Sequence, residues 1–573
     1  MSGGAPERRR APRWRPALQV ATRLLADGAA IHLELEDLSS SGARVRAHPL
    51  LEEANRGGCT VTLELSLGSV PVRLEARVAR RGTSFGLEWV GARSLPLTLD
   101  VRLLRVDPAW ALKLPSHLAM RRRLLPLCEI EGEVALAVCE PLDETAQKAV
   151  ERLLERPVRP QFVEAEALQQ LLRRLHGESR AAPGAADEED AVGLLAELLR
   201  AAALRLASDI HLDPERSGLR VRLRVDGVLE DYRRLPARIA PELISRIKVL
   251  AGMDIAEKRA PQDGRFTHDP GTGNSFELRV ASLPTRHGER MALRLLALDE
   301  RTLELESLGM EPAELERLLL AVRKPHGLVL VTGPTGCGKS TTLQAALRRI
   351  LRERAVNAIA VQDPIEYDLP GVAQVEVDAA HKVTFPKALR SILRHDPDVI
   401  LIGEIRDAET LDIALKAALT GHLVLATLHT NSATSTVTRL VDMGADRFLI
   451  AATLRLVVAQ RLVRRLCPHC RHSWPVSESA ASALEFSALG LRSAGTAWTA
   501  GACVFCAGRG YQGRIGLFEL LDIDREVSAR IAADASEAEL ERSCSHTLEQ
   551  DAQHKLEAGV ASLDDLRWAL AGA

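Results

Sequence analysis

The chain has 573 residues, of which 46% are apolar and 27% charged, with a formal net charge of −2. That composition fits a soluble globular protein with room for roughly three to five domains. Near-neutral charge and an aromatic content of 3% argue against a nucleic-acid surface. No run approaches the roughly eighteen uncharged apolar residues of a membrane span, because the best candidate, 448–463, is broken by Arg455 and Arg461. The basic N-terminus lacks the apolar stretch of an export signal. The nine cysteines are therefore expected in a reducing compartment, where paired cysteines favour a metal over a disulfide.

The segment 7–105 opens with Arg8, Arg9, Arg10, Arg13 and Arg15, then alternates apolar and polar residues over 31–35, 59–65, 72–78 and 85–89. Period two with Gly-bearing turns predicts a small β-barrel or sandwich. Arg9-x-x-x-Arg13 and Asp37-x-Ser39-x-x-Gly42 resemble the two signatures of PilZ domains, which implies binding of cyclic di-GMP. Guanidinium forks suit phosphates and can stack on guanine, while a carboxylate and a hydroxyl can hydrogen-bond base edges. The plainer alternative is a solvated basic arm before an ordinary β-turn.

Residues 110–176 read as a second small α/β domain, with a strand over 133–138 and helices over 144–154 and 165–175. The runs 114–121 and 125–127 resemble the N-terminal domain of secretion and pilus-assembly ATPases, which implies recruitment. A polar linker over 177–190 follows, then a mixed α/β domain over 191–300.

The stretch Gly333, Pro334, Thr335, Gly336, Cys337, Gly338, Lys339, Ser340, Thr341 fits G-x-x-x-x-G-K-[ST] at every fixed position. An apolar run at 328–331 predicts the buried strand before it, and 339–351 predicts the helix after it. Glycines let backbone N–H groups surround the phosphates of ATP; Lys339 would reach the β and γ phosphates and Ser340 would take Mg²⁺. Predicted strands at 358–361 and 399–402 end in Asp363-x-x-Glu366 and Gly403-Glu404, which puts carboxylates at the ligand edge of a parallel sheet. Gly403 stands where many ATPases carry the Mg²⁺-side Asp, leaving Glu404 to position water or metal. A third predicted strand, 423–428, is bracketed by His422 and His429, each either a catalytic or phosphate-sensing group or a satisfied polar residue. Cys467-x-x-Cys470 and Cys503-x-x-Cys506 predict a structural Zn²⁺ site of four thiolates, with His469 a competing ligand and reduced or redox-paired cysteines the alternative.

Taken in order, the phosphate loop, the Asp363 and Glu404 strands, Thr420 to Asn431, the two knuckles and 510–516 resemble the type II secretion and type IV pilus assembly ATPases. The resemblance covers about 110–573. It implies a RecA-like α/β ATPase domain over 301–573 with a zinc-binding subdomain at 467–506, and a PAS-like α+β domain over 191–300. It further implies a cytoplasmic homo-hexamer docked at the inner-membrane face through platform and recruitment proteins, with no nucleic acid. Arginines of the preceding domain would reach the nucleotide, with Arg224, Arg279 and Arg294 as candidates. The expected function is ATP-driven assembly of a pseudopilus or pilus under cyclic di-GMP control. The rival from another class is a nucleic-acid-translocating motor on the same RecA-like core.

Overall fold

The computed structural model describes residues 21–46, 51, 60–89, 99, 104–176, 191–268, 276–296, 304–475, 489, 491 and 496–571, apart from a few turn residues inside those spans. The chain divides into two compact units. One comprises Met1–Leu295 with Cys467–Arg471 and Ala500–Tyr511; the other comprises Leu296–Leu466, His472–Thr499 and Gln512–Ala573.

The first unit begins with a seven-stranded antiparallel sheet drawn from residues 21–89. Val45, Ala76 and Val78 are buried in it. Strands Leu35–Ser39 and Gly42–Arg46 pair as a hairpin that sets Ser39 opposite Gly42 and Asp37 opposite Arg44. Arg9 and Arg13 lie outside the described residues. Residues 104–176 form a three-stranded sheet of Leu124–Ile130, Glu133–Val138 and Val158–Phe162. Helix Glu144–Leu154 packs its buried Val150 and Leu154 inward and is capped by Asp143, which accepts from the Ala146 N–H at 2.6 Å.

Residues 191–296 form a six-stranded sheet with helices Ala191–Leu204 and Ala240–Leu250. Alternation decides its faces. In Gly218–Val225 the residues Leu219, Val221, Leu223 and Val225 are buried, so Arg220, Arg222 and Arg224 occupy the other face.

The second unit holds a seven-stranded sheet of β1 (Gly327–Thr332), β2 (Ala358–Gln362), β3 (Val372–Glu376), β4 (Val399–Ile402), β5 (Leu423–Leu428), β6 (Leu454–Leu466) and β7 (Tyr511–Asp522). Their spatial order is β3-β2-β4-β5-β1-β6-β7. All residues of β1, β2, β4 and β5 are buried, as expected for central parallel strands covered on both faces. Parallel register sets Thr332 beside Leu428 and Ile402 beside Ala426, so β1, β4 and β5 end along one edge. Helix α1 (Lys339–Glu353) leaves that edge. No helix among the described residues is long and apolar enough to cross a membrane.

Candidate nucleotide and metal sites

The phosphate loop runs from the end of β1 into α1, whose N-cap Gly338 is held at φ 90°. A residue with a Cβ is strained there, and the glycine lets the first N–H groups of α1 face the loop. Lys339 is buried, and its Nζ donates to the carbonyls of Gly333 at 2.8 Å and Pro334 at 3.0 Å. Burial pulls its pKa below the ordinary lysine value; Cys337, then the Glu404 carboxylate and, more weakly, that of Glu366 act in the other direction. The loop is braced from behind by β6, where buried Gln460 accepts from the Thr342 hydroxyl at 2.7 Å.

From Lys339 a chain of polar contacts runs along the sheet edge. Nζ lies 3.4 Å from Nδ1 of His429, just past β5. Nε2 of the same ring lies 2.8 Å from Oε1 of Glu404, just past β4. Arg406 donates from Nε to Glu404 at 2.8 Å and from Nη1 to Asp363, just past β2, at 2.9 Å. Three strand ends thus supply one connected cluster. The Glu404 hydrogen bond raises the Arg406 pKa, so this guanidinium is a fixed cation between two carboxylates.

Gly403 has a packing reason. A Cβ there would stand 3.2 Å from the Gln362 Cα and 3.3 Å from the Val361 carbonyl oxygen of β2, while the Gly403 carbonyl accepts from Thr427 at 2.5 Å. Close strand approach, together with that bond, accounts for the departure from the usual Asp.

The structure places the two histidines at opposite ends of β5, with only His429 beside Lys339. His422 precedes β5, and its carbonyl accepts from the N–H of Gly327 at the start of β1. Seven residue steps separate His422 from His429, about 23 Å along the strand. The Nδ1 of His422 lies 3.0 Å from the Ala417 carbonyl, an environment of a satisfied polar residue.

In the first unit the structure brings two of the three candidate arginines together. Asp209 sits opposite both Arg224 and Arg294 on the neighbouring strands. Its Oδ1 accepts from Arg294 Nε at 3.0 Å, and its Oδ2 lies 3.8 Å from Arg224 Nε. Arg279 lies opposite Arg265 on the outer strand pair. Asp209 and Arg406 were not singled out in the sequence. Only cross-strand adjacency reveals them, although Arg406 follows Glu404 by two residues.

The four cysteines converge with all Sγ atoms within 4.8 Å of one another. Sulfur pairs at 3.7 to 3.8 Å match the edge of a tetrahedron with Zn–S near 2.3 Å. Hydrogen bonds from Cys467, Cys470 and Cys503 push the Cys506 thiol toward thiolate. The donor set is that of a structural zinc site, and His469 stacks instead on Phe505 with centroids 4.1 Å apart. The 32 intervening residues are no obstacle, because His472–Pro475 pairs antiparallel with Thr496–Thr499 and returns the chain to its start.

Residues 185–567 match the family described as Type II/IV secretion system protein. The chain belongs to that family. Residues 93–182 match the MshEN domain and 7–103 the PilZ domain. Type II secretion system protein E of Klebsiella pneumoniae is 47% identical over 385 residues, 66% of this chain and 76% of that protein. Type II secretion system protein HxcR of Pseudomonas aeruginosa is 46% identical over 384 residues, 66% of this chain and 77% of that protein. The type IV pilus assembly ATPase PilB of Thermus thermophilus is 37% identical over 487 residues, 80% of this chain and 54% of that one. This member of the secretion and pilus-assembly ATPases is accordingly an ATPase, with a PilZ domain ahead of the shared parts.

Proposed function

We propose that the protein is a ring-forming motor, a homo-hexamer working at the cytoplasmic face of the inner membrane, that spends ATP to assemble a type II secretion pseudopilus or a type IV pilus. The observation that carries this reading is the chain Lys339, His429, Glu404, Arg406, Asp363 along one edge of the sheet. Lys339 and the loop N–H groups hold the triphosphate, and Ser340 would hold Mg²⁺, which offsets charge on the β and γ phosphates. Glu404 orients the attacking water, His429 fixes the Glu404 carboxylate, and Glu366 adds a second carboxylate near Lys339. Arg224 and Arg294, aligned by Asp209, serve a neighbouring protomer's nucleotide in the ring, which makes turnover depend on assembly. The PAS-like assignment of 191–300 belongs to this same family reading.

The PilZ domain is read as a cyclic di-GMP receptor using Arg9, Arg13, Asp37, Ser39 and Gly42. The hairpin that carries Asp37, Ser39 and Gly42 supports it. Isothermal titration of the full-length protein tests it: Arg9→Ala/Arg13→Ala is expected to weaken cyclic di-GMP binding by about two to four decades. No heat with the wild-type protein, or undiminished binding in the double variant, contradicts the receptor role. For the motor, a chromosomal Lys339→Ala replacement is expected to abolish surface pili or secretion of exported protein. Retention of both contradicts the proposed function.

A further inference from the structure

By sequence the four-cysteine knuckle lies inside the ATPase, between β6 and β7, yet it packs with residues 104–176. Val504 and Phe505 are buried with the four cysteines in one hydrophobic core that also contains Leu104, Val106, Leu127 and Cys128. The backbone N–H of Arg105 donates to the Val504 carbonyl at 3.1 Å. Gly508, at φ 76°, lies so close to strand Leu124–Ile130 that a Cβ would stand 2.7 Å from the Glu129 carbonyl oxygen. Nη1 of Arg105 is buried without a hydrogen-bond partner; burial pulls its pKa down and Arg509 adds to that, while Asp226 and, more weakly, Cys506 and Cys467 act in the other direction. A Zn²⁺ ion held by four thiolates carries two net negative charges, so a cation supplied by the neighbouring domain is favoured there.

The segment 104–107 is also held from the 191–296 side. Asp107 Oδ1 accepts from Arg205 Nη2 at 2.6 Å, and Arg205 Nη1 lies 3.5 Å from Glu230. The knuckle itself continues two strands of the motor sheet: β6 ends at Leu466, β7 begins at Tyr511, and the Cys467 N–H donates to the Gly510 carbonyl at 2.9 Å.

We propose that the segment Leu104–Asp107 is an interaction surface on which the metal knuckle anchors the front domain, so that changes in residues 104–176 reach the motor through β6 and β7. The zinc centre then has a mechanical task besides its local folding role. Breaking the anchor frees the segment while leaving the nucleotide-edge strands intact.

Hydrogen–deuterium exchange on the full-length, zinc-loaded protein tests this, with zinc content measured in parallel. Stripping zinc with a chelator, or replacing Gly508→Val, is expected to speed exchange of the Arg105 and Asp107 amides by about tenfold or more, corresponding to about 1.4 kcal/mol of local protection. Strands β1 and β5 keep their protection. Arg105→Ala is expected to give the same loosening with zinc retained, and it supplies the reading if Gly508→Val fails to fold. Unchanged exchange at Arg105 and Asp107 after zinc removal and in Arg105→Ala overturns the proposal, even if the zinc site and the ATPase activity are as described.

Discussion

Nε2 of His429 lies 2.8 Å from Oε1 of Glu404, and Nδ1 of the same ring lies 3.4 Å from Nζ of Lys339. One imidazole therefore touches both Lys339, proposed to hold the phosphates, and Glu404, proposed to act on water. A ring in that place can pass the state of the phosphate site to the carboxylate without moving a strand.

His429→Ala is expected to lower kcat by about 10² while changing the nucleotide KM much less, since it removes orientation of Glu404 and leaves the loop intact. Steady-state kinetics check it. A rise in KM at unchanged kcat would make His429 a binding residue instead.

Gly403→Asp, which restores the usual Mg²⁺-side acid, is expected to destabilise the protein by about 1–3 kcal/mol and not to raise activity. The new Cβ meets β2 backbone atoms at 3.2 and 3.3 Å, and backbone yields less readily than a side-chain tip. Thermal melts and ATPase assays decide it; a stable variant with higher kcat would refute the packing argument.

Metal analysis of the purified protein should find one Zn²⁺ per chain, because four thiolates close one tetrahedral shell. Cys467→Ser should lower Tm, since binding energy at such a site is folding energy. A metal-free protein of unchanged Tm contradicts this.

Burial lowers the Lys339 pKa in the folded, nucleotide-free protein, so the charged ammonium costs stability. That cost is fully present below the lowered folded pKa and disappears as pH rises through the ordinary lysine value near 10.4. Lys339→Met should therefore raise Tm at pH 7, with the gain shrinking toward pH 10 and above. A lower Tm at pH 7 would mean that the bonds to Gly333 and Pro334 outweigh desolvation.

Much of this was legible before any coordinates. Strands 133–138, 399–402 and 423–428 and helix 144–154 fall where hydrophobic period placed them. Strand Ala21–Ala26 lacks alternation, since Leu24 and Leu25 are adjacent, and Gly42–Arg46 alternates over only Ala43, Arg44, Val45 and Arg46, too short a run to stand out. His422 and His429 look equivalent in sequence, but a strand has two ends and only one of them faces the phosphate loop. Asp209 and Arg294 are separated by 85 residues and meet only through sheet pairing, which local pattern does not encode.

The central claim is that Lys339 holds the phosphates and Glu404 turns them over. Titration of a fluorescent ATP analogue into Lys339→Ala and Glu404→Gln, paired with single-turnover hydrolysis, tests it most directly. Lys339→Ala is expected to lose binding, whereas Glu404→Gln binds within a few-fold of wild type and hydrolyses at least about 10²-fold more slowly. Equal loss of affinity in both variants, or wild-type turnover in Glu404→Gln, would contradict the account.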